Sequence, residues 1–68
     1  MNKLIIDATK NKIFLMIMNK DINYSITHEN TKTNYEKLTI LIKEFLDTKK
    51  LNLKNISQIY VNRGPGSF

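Results

Sequence analysis

The sequence predicts an α/β domain whose elements follow in the order β-β-β-α-β. Three observations predict this class. Within residues 1–28, three short apolar runs are separated by polar turns, which is typical of an antiparallel meander. Residues 33–50 instead repeat apolar side chains at three- and four-residue spacing, which is typical of an amphipathic helix. Residues 59–61 form a last apolar run that ends just before a Gly-Pro-Gly turn.

The three strands of the meander are marked by β-branched residues and by the breaks between them. Residues 3–8 read K-L-I-I-D-A, and the polar residues 9–12 then predict a tight turn. Residues 13–18 form a second apolar run, and residues 19–21 a second turn. Residues 22–27 alternate apolar and polar side chains, a period of two that predicts a half-exposed strand.

The helix has predicted start and stop signals. Thr33 and Glu36 have the spacing of a capping box, so we expect the helix to begin at Thr33. Lys49 and Lys50 place cations at its negative end, and Asn52 tolerates the left-handed geometry that often follows a helix. The apolar stripe needs an apolar surface to cover it, and it comprises Tyr35, Leu38, Leu41, Ile42, Phe45 and Leu46.

The last strand is short and continuously apolar. Residues 59–61 read I-Y-V, which predicts a strand buried on both faces and entered through the helix. The chain has 68 residues, enough for one small domain or for a fragment of a larger one. A chain of this length without cysteine lies near the lower limit of independent stability, so we expect marginal folding.

Composition excludes several classes of protein. The absence of cysteine excludes disulfides and thiolate metal clusters, which fits a cytoplasmic location. Asp7 and Lys10 interrupt the N-terminal apolar stretch, so a signal peptide is not predicted. The longest apolar run, residues 13–18, is far shorter than the roughly 20 residues of a membrane span. We therefore expect no membrane association.

Net charge leaves a nucleic-acid-binding hypothesis open. Eleven Lys and Arg residues against six Asp and Glu residues give a formal charge of +5, which would attract polyanions. The lysines are scattered, however, and only Lys49 and Lys50 are adjacent. No aromatic residues are interleaved with them to stack bases. This distribution favours a solvated lysine-rich surface.

Two segments contain residue types that suit phosphate chemistry. Pro65 followed by Gly66 predicts a type II turn, which is either an ordinary strand end or a cradle of backbone amides for an anion. Ser67 could cap a following helix, whose N-terminus would favour the same anion. Asp7 and Thr9 end the first strand, where a carboxylate either holds Mg²⁺ or a water near a phosphate, or simply caps the turn that follows.

The remaining candidates for chemistry are weak. His28 is the only histidine, and no second ligand stands at a zinc-binding spacing from it. A Ser-His-Asp arrangement could be drawn from Ser25 or Ser57, His28 and Asp47, but the spacing does not require these side chains to meet. We expect His28 to be a surface residue at a strand end.

The opening I-I-D-A-T and the block R-G-P-G-S-F after an amphipathic helix together resemble the TsaB family, also called YeaZ. The resemblance covers the whole chain in order, and residues 63–68 are its specific part. It implies the N-terminal part of an actin-like (ASKHA, ribonuclease H-like) lobe, in which three antiparallel strands are followed by a helix and a parallel strand. Residues 1–68 are then a truncated N-terminal lobe, since the family usually continues through T-G-x-R into a helix.

The resemblance also implies a function. TsaB-type proteins are non-catalytic subunits that heterodimerise with the catalytic subunit TsaD and support threonylcarbamoyladenosine formation in tRNA. The expected partners are thus a TsaD-like subunit and a TsaE-like ATPase, with tRNA contacted indirectly and ATP and Mg²⁺ bound only through the partner. Tyr35, Leu38 and Ile42 are the candidate interface residues. No cofactor of the chain's own is expected, and a vestigial phosphate site would comprise Asp7, Thr9, Gly64, Pro65, Gly66 and Ser67.

Departures from the family pattern favour a partner over a catalyst. Ala8 and Lys10 differ from the family's usual I-D-T-S opening, and the helix lacks the histidine pair with which TsaD-like proteins bind metal. Three alternatives remain open: a truncated non-functional fragment of the family, an ATP-binding phosphotransferase fragment of the same fold, and a small basic nucleic-acid-binding protein. Peptide hydrolysis is not supported, since the sequence has no cysteine, histidine pair or recognisable carboxylate pair. We also expect self-association through an exposed edge at residues 59–61.

Overall fold

A computed structural model describes residues 1–62 as one four-stranded mixed sheet with helices on one face. The strand order is β3-β2-β1-β4, with β1 antiparallel to β2, β2 antiparallel to β3, and β1 parallel to β4. This confirms the predicted β-β-β-α-β fold. The elements are β1 (Asn2–Asp7), β2 (Lys12–Met18), β3 (Asn23–Glu29), α1 (Lys32–Glu36), α2 (Leu38–Thr48), a 3₁₀ turn (Leu53–Asn55) and β4 (Ile56–Asn62).

The core lies between α2 and the inner face of β1 and β2. In both strands, alternate side chains are buried because successive residues point to opposite faces of a sheet. Helix α2 contributes three buried side chains, Leu41, Phe45 and Leu46, whose spacing of four and five residues from Leu41 places them on one side of the helix. The buried cluster comprises Leu4, Ile6, Ala8, Ile13, Leu15, Ile17, Leu41, Phe45 and Leu46.

The helical segment begins two residues earlier than predicted. Thr31, with extended backbone (φ −91°, ψ 163°), is the N-cap, and its hydroxyl accepts the amide of Asn34 at 3.1 Å. The predicted capping box at Thr33 and Glu36 is therefore wrong. The reason is that the Asn34 side chain donates to the Glu29 carbonyl at 2.9 Å, which ties the first turn to the end of β3.

The predicted single helix is divided at Lys37, whose ψ of 30° interrupts the helical backbone between α1 and α2. Helix α2 ends in a Schellman motif, in which the amide of Leu51 donates to Leu46 O and that of Lys50 to Asp47 O, both at 3.0 Å. Lys50 carries the left-handed conformation (φ 57°), so the assignment of that role to Asn52 is wrong. Neither helix of residues 1–62 is long and apolar enough to cross a membrane.

Strand β4 differs most from the prediction. Ile59, Tyr60 and Val61 are each about half exposed, so the expectation of burial on both faces is wrong. Within residues 1–62, β4 is an edge strand, and the core of α2 lies over β1 and β2. Within residues 1–62, the expected apolar edge strand at residues 59–61 is present, and the self-association expected from it stays a prediction.

Leu41 and Ile40 provide a matched test of the core, because these neighbours on α2 are 5% and 54% exposed. We predict that Leu41→Ala costs about 2–5 kcal/mol of unfolding free energy. A core of this size rarely supplies more than about 3–5 kcal/mol, so the variant should be largely unfolded. Ile40→Ala should stay within about 0.5 kcal/mol of the parent. Urea unfolding followed by circular dichroism measures both, and similar losses in the two variants would contradict the assigned packing.

Thr31 and Thr33 provide a matched test of the helix start. Thr31→Ala removes the hydroxyl that accepts the Asn34 amide, and it should destabilise the chain by about 0.5–2 kcal/mol. Thr33→Ala lies inside α1 and should have little effect, since alanine is the better helix former. Thermal unfolding of both variants checks this. If Thr33→Ala lowers the stability more than Thr31→Ala does, Thr33 is the N-cap, as the sequence predicted.

Candidate functional site

The candidate site lies where the parallel strands β1 and β4 end side by side. Asp7 is the last residue of β1 and pairs in register with Asn62, the last residue of β4. The amide of Ala8 donates to the Asn62 carbonyl at 3.0 Å, which extends the pairing one residue beyond the strand. Because adjacent parallel strands end at the same edge, the topology brings these polar residues together.

The Asp7 carboxylate is already held by hydrogen bonds from its own chain. Its Oδ1 accepts the Thr9 amide at 3.0 Å and the Thr9 hydroxyl at 2.7 Å. These bonds from Thr9 lower the pKa of Asp7 below its ordinary value of 3.8. Desolvation opposes this lowering, and the positive charge of Lys10 and the Asn62 side chain add to it. Asp7 therefore caps the turn that follows β1.

Asn30 organises the same edge from the other side. Its side-chain nitrogen donates to the carbonyls of Ala8 at 3.1 Å and Lys10 at 2.7 Å, and its backbone amide donates to Asn11 O at 2.8 Å. These bonds fasten the β1–β2 turn to the start of the helical segment. The side-chain oxygen of Asn30 is buried and has no hydrogen-bond partner among residues 1–62.

Sequence reasoning placed Asp7 and Thr9 in one site, and the structure brings them into contact. The other four predicted members, Gly64, Pro65, Gly66 and Ser67, lie outside the described residues, so the phosphate site as a whole stays a prediction. Asn30 and Asn62 were missed. The only signal that could have found them was their position, one directly after β3 and the other at the end of β4.

The structure also locates the weaker candidates for metal binding and catalysis that the sequence offered. In residues 1–62, no three His, Cys, Asp or Glu side chains are grouped so that they could hold a metal ion. Ser25 and His28 stand three residues apart on β3 and so point to opposite faces of the sheet. Asp47 instead pairs with Lys43 at 3.3 Å on α2. His28 lies at the penultimate position of β3, the strand end expected for it, and is half-buried.

The predicted interface residues lie on the helices. Tyr35, Leu38 and Ile42 are partly buried and pack against the core cluster, so each presents only part of its surface to solvent. Ile40 was missed, although it is more exposed than any of the three. It falls outside the core-facing stripe, and an apolar residue in that position is the signal that could have found it.

Comparison with solved structures finds several matches in fold, and two of them are from Pseudomonas aeruginosa. One is YeaZ, and the other is described as an uncharacterized protein with similarity to the peptidase YeaZ. Each superposes on 98% of this chain with a TM-score of 0.81 at 19% sequence identity. The chain spans about a third of their length, 32% and 31% respectively. No protein-family model and no curated protein sequence matches the chain.

The likeness shows the fold expected from the sequence, the N-terminal part of a YeaZ-type actin-like lobe. Three antiparallel strands, a helical segment and a parallel strand occur in the order that this resemblance implied. At this identity the likeness concerns the fold, and activity, substrates and partners need separate arguments.

Asp7 gives a test of the site that depends on pH. Because its pKa is lowered in the folded state, Asp7 stabilises the fold above pH 3.8, and this contribution is lost as pH falls through the lowered pKa. We predict that Thr9→Val raises the pKa of Asp7 towards its ordinary value, whereas Thr9→Ser keeps the hydroxyl and the lowered pKa. Carbon-detected NMR titration of the Asp7 carboxyl group measures both. Identical titration curves for the two variants would rule out Thr9 as the cause.

Proposed function

We propose that this chain acts as the N-terminal part of a TsaB-like accessory subunit, which binds a TsaD-type catalytic subunit and so supports threonylcarbamoyladenosine formation in tRNA. The observation that carries the proposal is the superposition on YeaZ over 98% of the chain. The resemblance of residues 63–68 to the family's R-G-P-G-S-F turn supports it independently, because that match is one of sequence and not of fold.

The geometry at the end of β1 supports a role without chemistry of its own. The Asp7 oxygen bonded by Thr9 serves the turn, and Asn62 stands beside Asp7 in register on the neighbouring strand. In this proposal ATP and Mg²⁺ are bound by the partner proteins, a TsaD-like subunit and a TsaE-like ATPase. The chain reaches tRNA through the complex.

The helical segment is the proposed docking surface. Three residues of the apolar stripe are buried against the chain's own sheet, namely Leu41, Phe45 and Leu46. The sequence alone did not show which residues of the stripe face the sheet. The exposed parts of Tyr35, Leu38 and Ile42, together with Ile40, then remain for the partner.

A pull-down with a tagged TsaD-type subunit from the same organism tests this docking surface. The parent chain should be retained at micromolar concentration. Ile40→Asp should weaken retention by roughly tenfold or more, because a carboxylate would be desolvated in the interface. Ile22→Asp is the matched control, since Ile22 is similarly exposed but lies in the β2–β3 turn, and it should bind like the parent.

Two results would contradict the proposal. If the parent chain is not retained, the proposal that it binds a TsaD-type subunit is wrong. If both variants lose retention equally, the helical segment is not the docking surface. Circular dichroism of each variant, with the parent as reference, shows whether a lost signal reflects unfolding or a lost contact.

A further inference from the structure

Half of the chain's lysines lie at one end of the fold, the end at which β1 and β4 begin. The sheet register places Lys3 of β1 beside Met18, the last residue of β2, and places Met18 beside Asn23, the first residue of β3. Helix α2 ends in the same region, since the residue after it contacts the start of β3. We call this region the lysine end, and it comprises Lys3, Lys20, Lys49, Lys50 and Lys54.

Contacts among the described residues support this placement. A surface groove of about 340 Å³ is lined by both Lys3 and Lys20. The Lys49 ammonium lies 4.3 Å from the centre of the Tyr24 ring, a cation–π contact that joins the end of α2 to the start of β3. Lys54 belongs to the 3₁₀ turn that leads directly into β4. These lysines are scattered along the sequence, and the fold brings them to one end.

Few carboxylates offset the positive charge of the lysine end. Within residues 1–62, Asp21 is the one acidic residue there that lies outside an ion pair. Asp47, near the end of α2, is paired with Lys43 at 3.3 Å. The opposite end of the sheet is closer to balance, because it carries Lys10, Lys12, Lys32 and Lys37 together with Asp7, Glu29 and Glu36. The net positive charge of residues 1–62 is therefore concentrated at the lysine end.

The residue types at the lysine end indicate which anion it can bind. A lysine ammonium is a compact point charge that binds phosphate without a fixed geometry, whereas arginine is preferred where recognition is bidentate. The sequence has one arginine, Arg63, which follows β4 at the other end of that strand. Contacts of lysine with phosphates hold a nucleic acid in position and carry no sequence information. Lys20, Lys50 and Lys54 are exposed and so are free to make such contacts.

An anionic membrane is the competing partner for a surface of this charge. A helix that binds at a membrane interface needs an apolar face that is free to enter the lipid. The buried side chains of α2 instead pack against the chain's own sheet. Ile22 and Leu53 are exposed near the lysine end, but they lie in two separate turns. These observations favour a nucleic acid over a membrane.

We propose that the lysine end binds the phosphate backbone of RNA directly, through contacts that do not depend on base sequence. The choice of RNA among nucleic acids rests on the proposed function, in which the partner subunit modifies tRNA. The lysine end lies at the opposite end of β1 from Asp7, and it shares no residue with the helical docking surface. Within the complex it therefore adds a contact to the tRNA that the partner proteins hold.

Fluorescence anisotropy with a labelled, unmodified tRNA transcript tests the proposal on the full chain. Between about 50 and 200 mM NaCl, the dissociation constant of the parent should rise steeply with salt, as phosphate contacts require. The double variant Lys20→Gln/Lys50→Gln should raise the constant about tenfold or more at the lower salt concentration. It should also reduce the slope of log Kd against log salt by about 2, since each phosphate contact contributes about 1.

A matched control removes the same charge from the other end. Lys32→Gln/Lys37→Gln changes two exposed lysines of the helical segment and should keep the salt slope of the parent. No binding of the parent to tRNA at the lower salt concentration, or equal losses in the two double variants, would overturn the proposal. Binding to vesicles of phosphatidylserine and phosphatidylcholine without binding to tRNA would also overturn it, because the surface would then be one for lipid.

The pull-down with the TsaD-type subunit distinguishes a failure of this proposal from a failure of the proposed function. Lys20→Gln/Lys50→Gln lies outside the helical docking surface, so it should be retained like the parent. Retention of this variant together with unchanged binding to tRNA would overturn the role of the lysine end alone. Loss of retention in the parent would concern the proposed function alone, since the anisotropy measurement contains no partner subunit.

Acetylation of lysines supplies a readout that needs no variant. The parent chain is treated with acetic anhydride, with and without the tRNA transcript, and the modified peptides are measured by mass spectrometry. The tRNA should slow acetylation of Lys20, Lys50 and Lys54 severalfold and leave that of Lys10 and Lys32 unchanged, although all five are exposed. Protection of Lys10 and Lys32 instead would place the RNA at the opposite end and overturn the proposal.

Discussion

The packing of α2 against β1 and β2 is the interaction on which the rest of the structure depends. Within residues 1–62, α2, a helix of three turns, is the main cover of a four-stranded sheet. Leu41, Phe45 and Leu46 cover the buried side chains of the two central strands, and burial of this kind is the dominant favourable term in folding. The edge strands receive less cover, which explains the half-exposed side chains on β4.

Much of the fold could be predicted because the signals are local. The alternating pattern of residues 22–27 and the apolar run of residues 13–18 predict strands, and the structure has strands there. The helix boundaries were harder to predict from the sequence. Thr31 and Thr33 are equally good caps by type, and the choice depends on a bond from Asn34 to the end of β3, which is a tertiary contact. The burial of β4 also depends on which elements cover it, and local sequence does not report that.

The candidate site also combines residues that local sequence predicts with residues that only the tertiary fold brings together. Asp7 and Thr9 are two residues apart, so their contact could be predicted from turn chemistry. Asn30 and Asn62 reach the same edge from distant parts of the sequence, through β-sheet topology. No short motif connects them to Asp7. The predicted interface residues are partly buried, because the apolar stripe of the helices packs against the chain's own core. Only the rest of their surface is available to a partner.

The proposal assigns the helical segment to a TsaD-type subunit. Hydrogen–deuterium exchange with and without that subunit tests the central claim most directly, since docking slows local opening where it occurs. The account predicts slower exchange in residues 32–48 and unchanged exchange in residues 56–62. Slower exchange confined to residues 56–62 would contradict it.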